Sequence, residues 1–206
     1  MLDADTLTLI AITDDLRDGH EGLVARAVAA VRGGATMLQL RLKDADARTQ
    51  VEVARALIAA VPHEVPVLVN DRADIALAAG AAGVHVGADD LPVSAVRRIT
   101  PPDFVVGASV GVDAEVAGAR GADYVGIGPV YATASKQDAG DAIGIAEFAR
   151  LMRACGLPAV AIGGIDASNA ASVMTAGARG VAVIRGVFGA PSPEAAARAI
   201  RSAIGR

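Results

Sequence analysis

Val65–Asp90 reads VPVLVNDRADIALAAGAAGVHVGADD. Two apolar, β-branched runs, Val65–Asn70 and Gly83–Gly87, flank an Ala-rich stretch at helical spacing, Ala73–Ala79. A strand, a helix and a second strand in so short a span form a βαβ unit. Its two strands must run parallel, because the helix carries the chain back to where the first strand began. Outward from this unit the alternation continues in both directions. Further strand-like runs are Thr8–Thr13, Met37–Leu42, Phe104–Val110, Tyr124–Val130, Pro158–Gly163 and Gly180–Arg185. Helical spacing recurs over Gly22–Arg32, Thr49–Ala60, Ile145–Cys155, Asn169–Ala176 and Ser192–Ala203. GGATMLQL (33–40), GAAGVHVG (80–87), RGADYVGIG (120–128) and GARGVAVI (177–184) echo one another, each placing Gly and Ala ahead of a strand. The spacing predicts eight βα units in 206 residues, the size of a single-domain (β/α)8 TIM barrel spanning residues 1–206. An open doubly wound sheet is the other architecture with this alternation, but no G-x-G-x-x-G follows the first strand.

Composition agrees. Hydrophobic residues are 53% of the chain and charged residues 20%, enough apolar material for a large core. Aromatics are only 2% and there is no Trp, so that core is built from Ala, Val, Ile and Leu. The net charge of −4 and the lack of a basic cluster argue against nucleic acid as a partner. Apolar runs are too short and too interrupted for a membrane span, and Met1–Asp5 does not read as a leader. A lone Cys155 rules out an internal disulfide and a Cys-based zinc cage. The expectation is a cytoplasmic protein, with self-association into a homo-oligomer left open.

In a barrel of this kind the chemistry sits at the C-terminal ends of the strands. Polar residues collect there: Asp14, Gln39/Arg41/Lys43, Asn70/Asp71/Arg72, Asp89/Asp90, Ser109, Thr133/Ser135/Lys136, Gly163/Gly164 and Arg185/Gly186. Alternation in Gln39-Leu40-Arg41-Leu42-Lys43 predicts three polar side chains on one face. Two cations beside a Gln suit an anion such as a diphosphate, or else pair with acids at the rim. Asp71 could cap the helix that follows it. With an acid after the next strand it could equally hold Mg²⁺ against phosphate oxygens. Gly164 suits either a tight turn or close approach of backbone to an anion. His85, alone in an apolar strand, reads as a buried hydrogen-bonded residue before it reads as a base.

Taken together, QLRLK (39–43), VNDRADIALAAGAAGVHVGADDLP (69–92), VGASV (106–110), GADYVGIGPVYATASKQDA (121–139) and AIGGI (161–165) resemble the thiamine-phosphate synthase (thiamine-phosphate pyrophosphorylase) family. The resemblance runs from the first strand to the last. It implies a (β/α)8 barrel that joins 4-amino-2-methyl-5-(diphosphooxymethyl)pyrimidine to a thiazole phosphate, releasing diphosphate. By position, Gln39, Leu40, Arg41, Leu42, Lys43 and Asn70 would hold the pyrimidine diphosphate. Asp71 and Asp90, chosen over Asp89 by the resemblance alone, would bind Mg²⁺. Ser109 and Lys136 would act with Arg41 and Lys43 on the diphosphate. Thr133, Ala134, Ser135, Gly164, Ile184 and Arg185 would hold the thiazole phosphate. Two positions depart from the family's pattern. Thr133-Ala134-Ser135-Lys136 stands where Thr-x-Thr-Lys is usual, and Ile184-Arg185 where Ile-Ser is common. The segment from Thr133 to Asp141, with Gly140 as hinge, is the expected lid.

Two other functions share these features. A sister isomerase that aromatises the thiazole carboxylate would need a positioned acid/base, and a His can stand where this chain has Gly128-Pro129. A non-catalytic relative would be expected to lose its costly charges first, and here Arg41, Lys43, Asp71 and Asp90 are all present.

Overall fold

The computed structural model of the chain describes residues 4–133 and 141–205. A 3-10 turn, Ala4–Leu7, precedes β1 (Leu9–Ile12), α1 (Gly19–Arg32), β2 (Met37–Leu40), α2 (Ala47–Ala60), β3 (Val67–Asn70) and α3 (Ala73–Ala79). There follow β4 (Gly83–Val86), α4 (Val93–Ile99), β5 (Val105–Val110), α5 (Asp113–Val116), β6 (Tyr124–Ile127) and α6 (Gly144–Cys155). The chain ends with β7 (Ala159–Ile162), α7 (Ala170–Thr175), β8 (Gly180–Val183), α8 (Arg185–Phe188) and α9 (Pro193–Ala203). Each strand pairs in parallel with the next, and β8 closes on β1, giving the expected (β/α)8 barrel.

All eight strands fall where the sequence places them, but most are shorter than their apolar runs. The ladder ends at Leu40 and at Val183, so Arg41–Lys43 lie past β2 and Arg185 opens a helix. An apolar run marks burial, whereas a strand also needs a neighbour's carbonyls and amides in register. The short helices α4, α5 and α8 are absent from the sequence reading. The two 4-residue spans carry too few positions to display helical periodicity, and α4 lacks the Ala-rich composition that marks α3.

Alternation along each strand sorts the side chains into two cores. Leu38 and Leu40 of β2, Val67 and Val69 of β3 and Val84 and Val86 of β4 point outward and pack against the helices. Leu7, Ile10, Met37, Leu68, Tyr124 and Val160 point inward and fill the lower barrel. Strands buried on both faces have no use for the polar-out pattern of an exposed sheet, which explains the continuous apolar runs. Gly83 and Gly180 open their strands for a steric reason. A Cβ on Gly83 would run into the Val105 carbonyl oxygen, and one on Gly180 into that of Leu7.

Gly83→Ala is therefore expected to destabilise the protein by about 3 kcal/mol, since backbone cannot yield to the added methyl. Urea unfolding measures this; a midpoint equal to that of the parent protein would contradict the steric argument.

Candidate active site

The end of β2 supplies the first part of the site. Gln39 points into the barrel, 3% exposed, and its Nε2 donates to Asn70 Oδ1 at 2.7 Å. Arg41 follows the strand and is fixed by Thr13, itself fully buried. The Arg41 amide donates to Thr13 Oγ1 at 2.8 Å, while that hydroxyl lies 3.3 Å from the Arg41 carbonyl oxygen. Arg41 Nε is buried without a hydrogen-bond partner among the described residues. A buried guanidinium donor left unpaired is costly, about 1–3 kcal/mol, unless a ligand completes it. Gln39, Arg41, Asn70, His85 and Tyr124 line a void of about 10 Å³ below the barrel mouth.

The three-on-one-face expectation is corrected here. Gln39 and Arg41 share a face, but Lys43 sits on an exposed turn beyond the strand. Leu40 and Leu42 bury their side chains in the outer core, so only their backbone could meet a ligand. Neither Arg41 nor Lys43 is ion-paired with an acid among the described residues.

Asp71 and Asp90 follow adjacent strands. Asp71 is not the N-cap of α3; Arg72 holds that position and makes no side-chain cap. It adopts φ +64°, the single positive-φ residue other than glycine among the described residues, and its amide donates to the His85 carbonyl at 2.8 Å. A left-handed Asp is tolerated better than most residues but still sits in a sparsely populated region. Asp90 Oδ2 accepts the Gly87 amide at 2.7 Å, which leaves Oδ1 open to a cation. Asp89 is exposed. Two carboxylates at neighbouring strand ends are hard oxygen donors of the kind Mg²⁺ takes.

Beyond β5 lies a cleft of about 450 Å³. Ser109, Thr133, Gly164, Ile184 and Arg185 all line it, as do Glu115, Pro129, Ile162 and Asp166, which sequence reasoning did not single out. Gly164 has φ +64°, and a Cβ there would lie 2.6 Å from the Ala132 carbonyl oxygen. The turn after β7 is held by side chains. Asn169 Nδ2 donates to the Gly164 carbonyl at 2.8 Å, and Asp166 accepts from the Ser168 hydroxyl and amide. Those bonds hold the Asp166 carboxyl below the usual carboxylate range. Glu115 Oε2 accepts the Gly111 amide at 2.5 Å and so braces the loop after β5. Ala134, Ser135, Lys136 and the hinge Gly140 lie outside the described residues.

Asp14, placed by sequence in the polar ring, is bound up structurally. It pairs with Arg17 at 2.6 Å and with Arg26 at 3.0 Å, and Arg17 donates to the Phe188 carbonyl. His85 is buried, as read, and bridges Tyr124 and Ser109. Nothing in the sequence pairs these three residues; only strand register does.

The void and the cleft share Gly126, Ile162 and Ala182 as walls. The void beside Arg41 and the glycine-rich cleft over β6–β8 are therefore neighbours.

A family model described as thiamine monophosphate synthase matches residues 9–187. The thiamine-phosphate synthase of Roseiflexus sp. (strain RS-1) is 48% identical over 94% of this chain and 83% of its own. That of Methanoculleus marisnigri is 51% identical over 95% and 94%. Among solved structures, a thiamine phosphate pyrophosphorylase from Pyrococcus furiosus superposes with a TM-score of 0.86. It is 34% identical, over 98% of this chain and 96% of that one. With a closed barrel, its polar residues at the strand ends and this likeness along nearly its whole length, the chain belongs to the thiamine monophosphate synthase family.

Proposed function

We propose that this chain joins 4-amino-2-methyl-5-(diphosphooxymethyl)pyrimidine to a thiazole phosphate, giving thiamine phosphate and diphosphate. The adjacency of Arg41 and the cleft, through the shared walls Gly126, Ile162 and Ala182, supports this reading. Two anionic substrates bound at the barrel mouth would lie side by side, each with its own anion-binding group. The pyrimidine diphosphate belongs over Gln39, Arg41 and Asn70, with Lys43 and Lys136 reaching its phosphates. The thiazole phosphate belongs in the cleft, against Thr133, Ala134, Ser135, Gly164, Ile184 and Arg185.

The C–O bond between the pyrimidine methylene and diphosphate breaks, and the electron pair leaves with diphosphate. The aminopyrimidine delocalises the positive charge left on the methylene, and the thiazole nitrogen then forms the C–N bond. No strong base is required. The demand is for leaving-group charge to be neutralised and for the two rings to be held in line away from water. Arg41, with a buried Nε left unpaired, would meet the first demand. The exposed Lys43 can fold over the mouth, and Ser109 offers a hydroxyl at the edge of the cleft.

Asp71 and Asp90 would hold Mg²⁺ at the rim. A bound Mg²⁺ supplies charge neutralisation at phosphate oxygens. The aromatising isomerase is not favoured, since Gly128–Pro129 stands at the end of β6 and brings no acid or base. Among the described residues no helix is long and apolar enough to cross a membrane.

The direct test mixes the purified protein with both substrates, with Mg²⁺ or with EDTA, and follows diphosphate and thiamine phosphate. Metal-dependent formation of both products is expected; neither product from a folded protein would sink the reading. Asp71→Asn should lower turnover on the order of 100-fold or more. Asn accepts positive φ as readily as Asp, so the far-ultraviolet spectrum and melting temperature should hold. Near-parental activity would remove Asp71 from the metal site. Lys136→Ala is expected to lower kcat more than it raises KM. A change in KM alone would make Lys136 a ground-state binding group.

A further inference from the structure

Three polar side chains form one chain through the barrel interior. Tyr124 OH lies 3.0 Å from His85 Nδ1, and His85 Nε2 lies 3.0 Å from Ser109 Oγ. Strand register brings them together. His85 pairs with Gly107 and Gly107 with Tyr124, while Ser109 pairs with Gly126. The two glycines make the room. A Cβ at Gly107 would collide with the His85 ring and lie 2.5 Å from Tyr124 Cζ, and one at Gly126 would lie 3.2 Å from His85 Cε1.

With a neutral imidazole, this chain leaves one O–H unused at one end. If Nδ1 carried the proton, Tyr124 would accept from it and its own O–H would go unpaired. Tyr124 is fully buried, and His85 is its hydrogen-bond partner among the described residues. If Nε2 carries the proton, the spare O–H falls on Ser109, which is half-buried and lines the cleft where a ligand or water can accept it. An unpaired donor costs far more in the dry interior than at the mouth, so the second arrangement wins. An imidazolium is disfavoured likewise, since it too would take the acceptor from Tyr124. Burial, helped by the nearby Asp123 carboxylate, pushes the Tyr124 phenol up, so it stays a donor.

We propose that Tyr124 and His85 are positioning residues that set Ser109 as a one-way hydrogen-bond donor aimed into the cleft, toward an oxygen of the bound substrates. The order is Tyr124 O–H to His85 Nδ1, then His85 Nε2–H to Ser109 Oγ, then Ser109 O–H to the ligand. No proton changes place. His85 Nε2 is occupied by its own hydrogen, so it cannot activate Ser109 as a nucleophile, although the pair has the spacing of one. The identity of the accepting oxygen rests on the proposed reaction; the direction of the chain does not.

Two measurements test it. Nitrogen NMR of ¹⁵N-histidine-labelled protein near neutral pH reports the tautomer. His85 is one of three histidines, and its signal is the one lost in H85Q. A neutral ring protonated at Nε2 is expected; protonation at Nδ1, or an imidazolium, overturns the proposal. This arm needs no turnover, so it decides the direction even if the proposed reaction fails. The second arm is a double-mutant cycle on kcat. Tyr124→Phe keeps the ring and removes the first donor, and should lower kcat about 10-fold, the worth of one buried hydrogen bond. In a Ser109→Ala background the same change should cost nothing further. Losses that multiply would mean that Tyr124 acts on the fold and not through Ser109.

Discussion

Strands of four residues, β5 alone having six, leave the barrel little freedom, because each four-residue strand can offer about two side chains to its interior. The lower of these must be apolar to fill the core, and the upper can be polar. Gln39, Asn70, His85 and Ser109 stand in that upper tier. Moving any of these strands by one residue would exchange its inward and outward sets, sending Gln39, Asn70 or His85 into the helix-packed layer and a leucine or valine into the site. The closed ladder, with each strand in register against two neighbours, is therefore what the site depends on.

A polar tier on top of an apolar core must satisfy itself or be satisfied by a ligand. Most of it is satisfied. Gln39 bonds Asn70, His85 joins Tyr124 to Ser109, and Thr13 ties down the backbone of Arg41. The exception is Arg41, whose buried Nε has no hydrogen-bond partner among the described residues. Networks of this kind hold side chains in one geometry before the ligand arrives, which moves the ordering cost from the binding event to the folding event.

Much of this was legible in the sequence. β-branched runs alternating with Ala-rich helical stretches specify the barrel, and the polar residues ending those runs locate its mouth. What escaped was whatever depends on register or on the far end of the chain. Lys43 belongs to the same alternating pentapeptide as Gln39 and Arg41, yet hydrogen bonding to β3 stops at Leu40 and the face is lost. Asp14 looked like a member of the polar ring and proves to be held by Arg17 and Arg26. Gly107 and Gly126 gave no hint of the ring that lies over them, because His85 and Tyr124 are 39 positions apart. Asp71 reads in the sequence as a metal ligand or a helix cap, and its positive φ is a property of the finished turn.

The pairing of β8 with β1 has a consequence for the protein's biogenesis. On the ribosome β1 emerges before its partner β8, and its open edge waits while the six strands between them are made. Until then the growing sheet exposes backbone donors and acceptors along both margins, the condition under which sheets recruit strangers. α1 packs on α9, and Arg17 reaches the Phe188 carbonyl, so the lock across that seam is also the last to set. A truncation before β8 would thus leave more than a missing strand: it would leave a nearly complete, aggregation-prone sheet with no way to close.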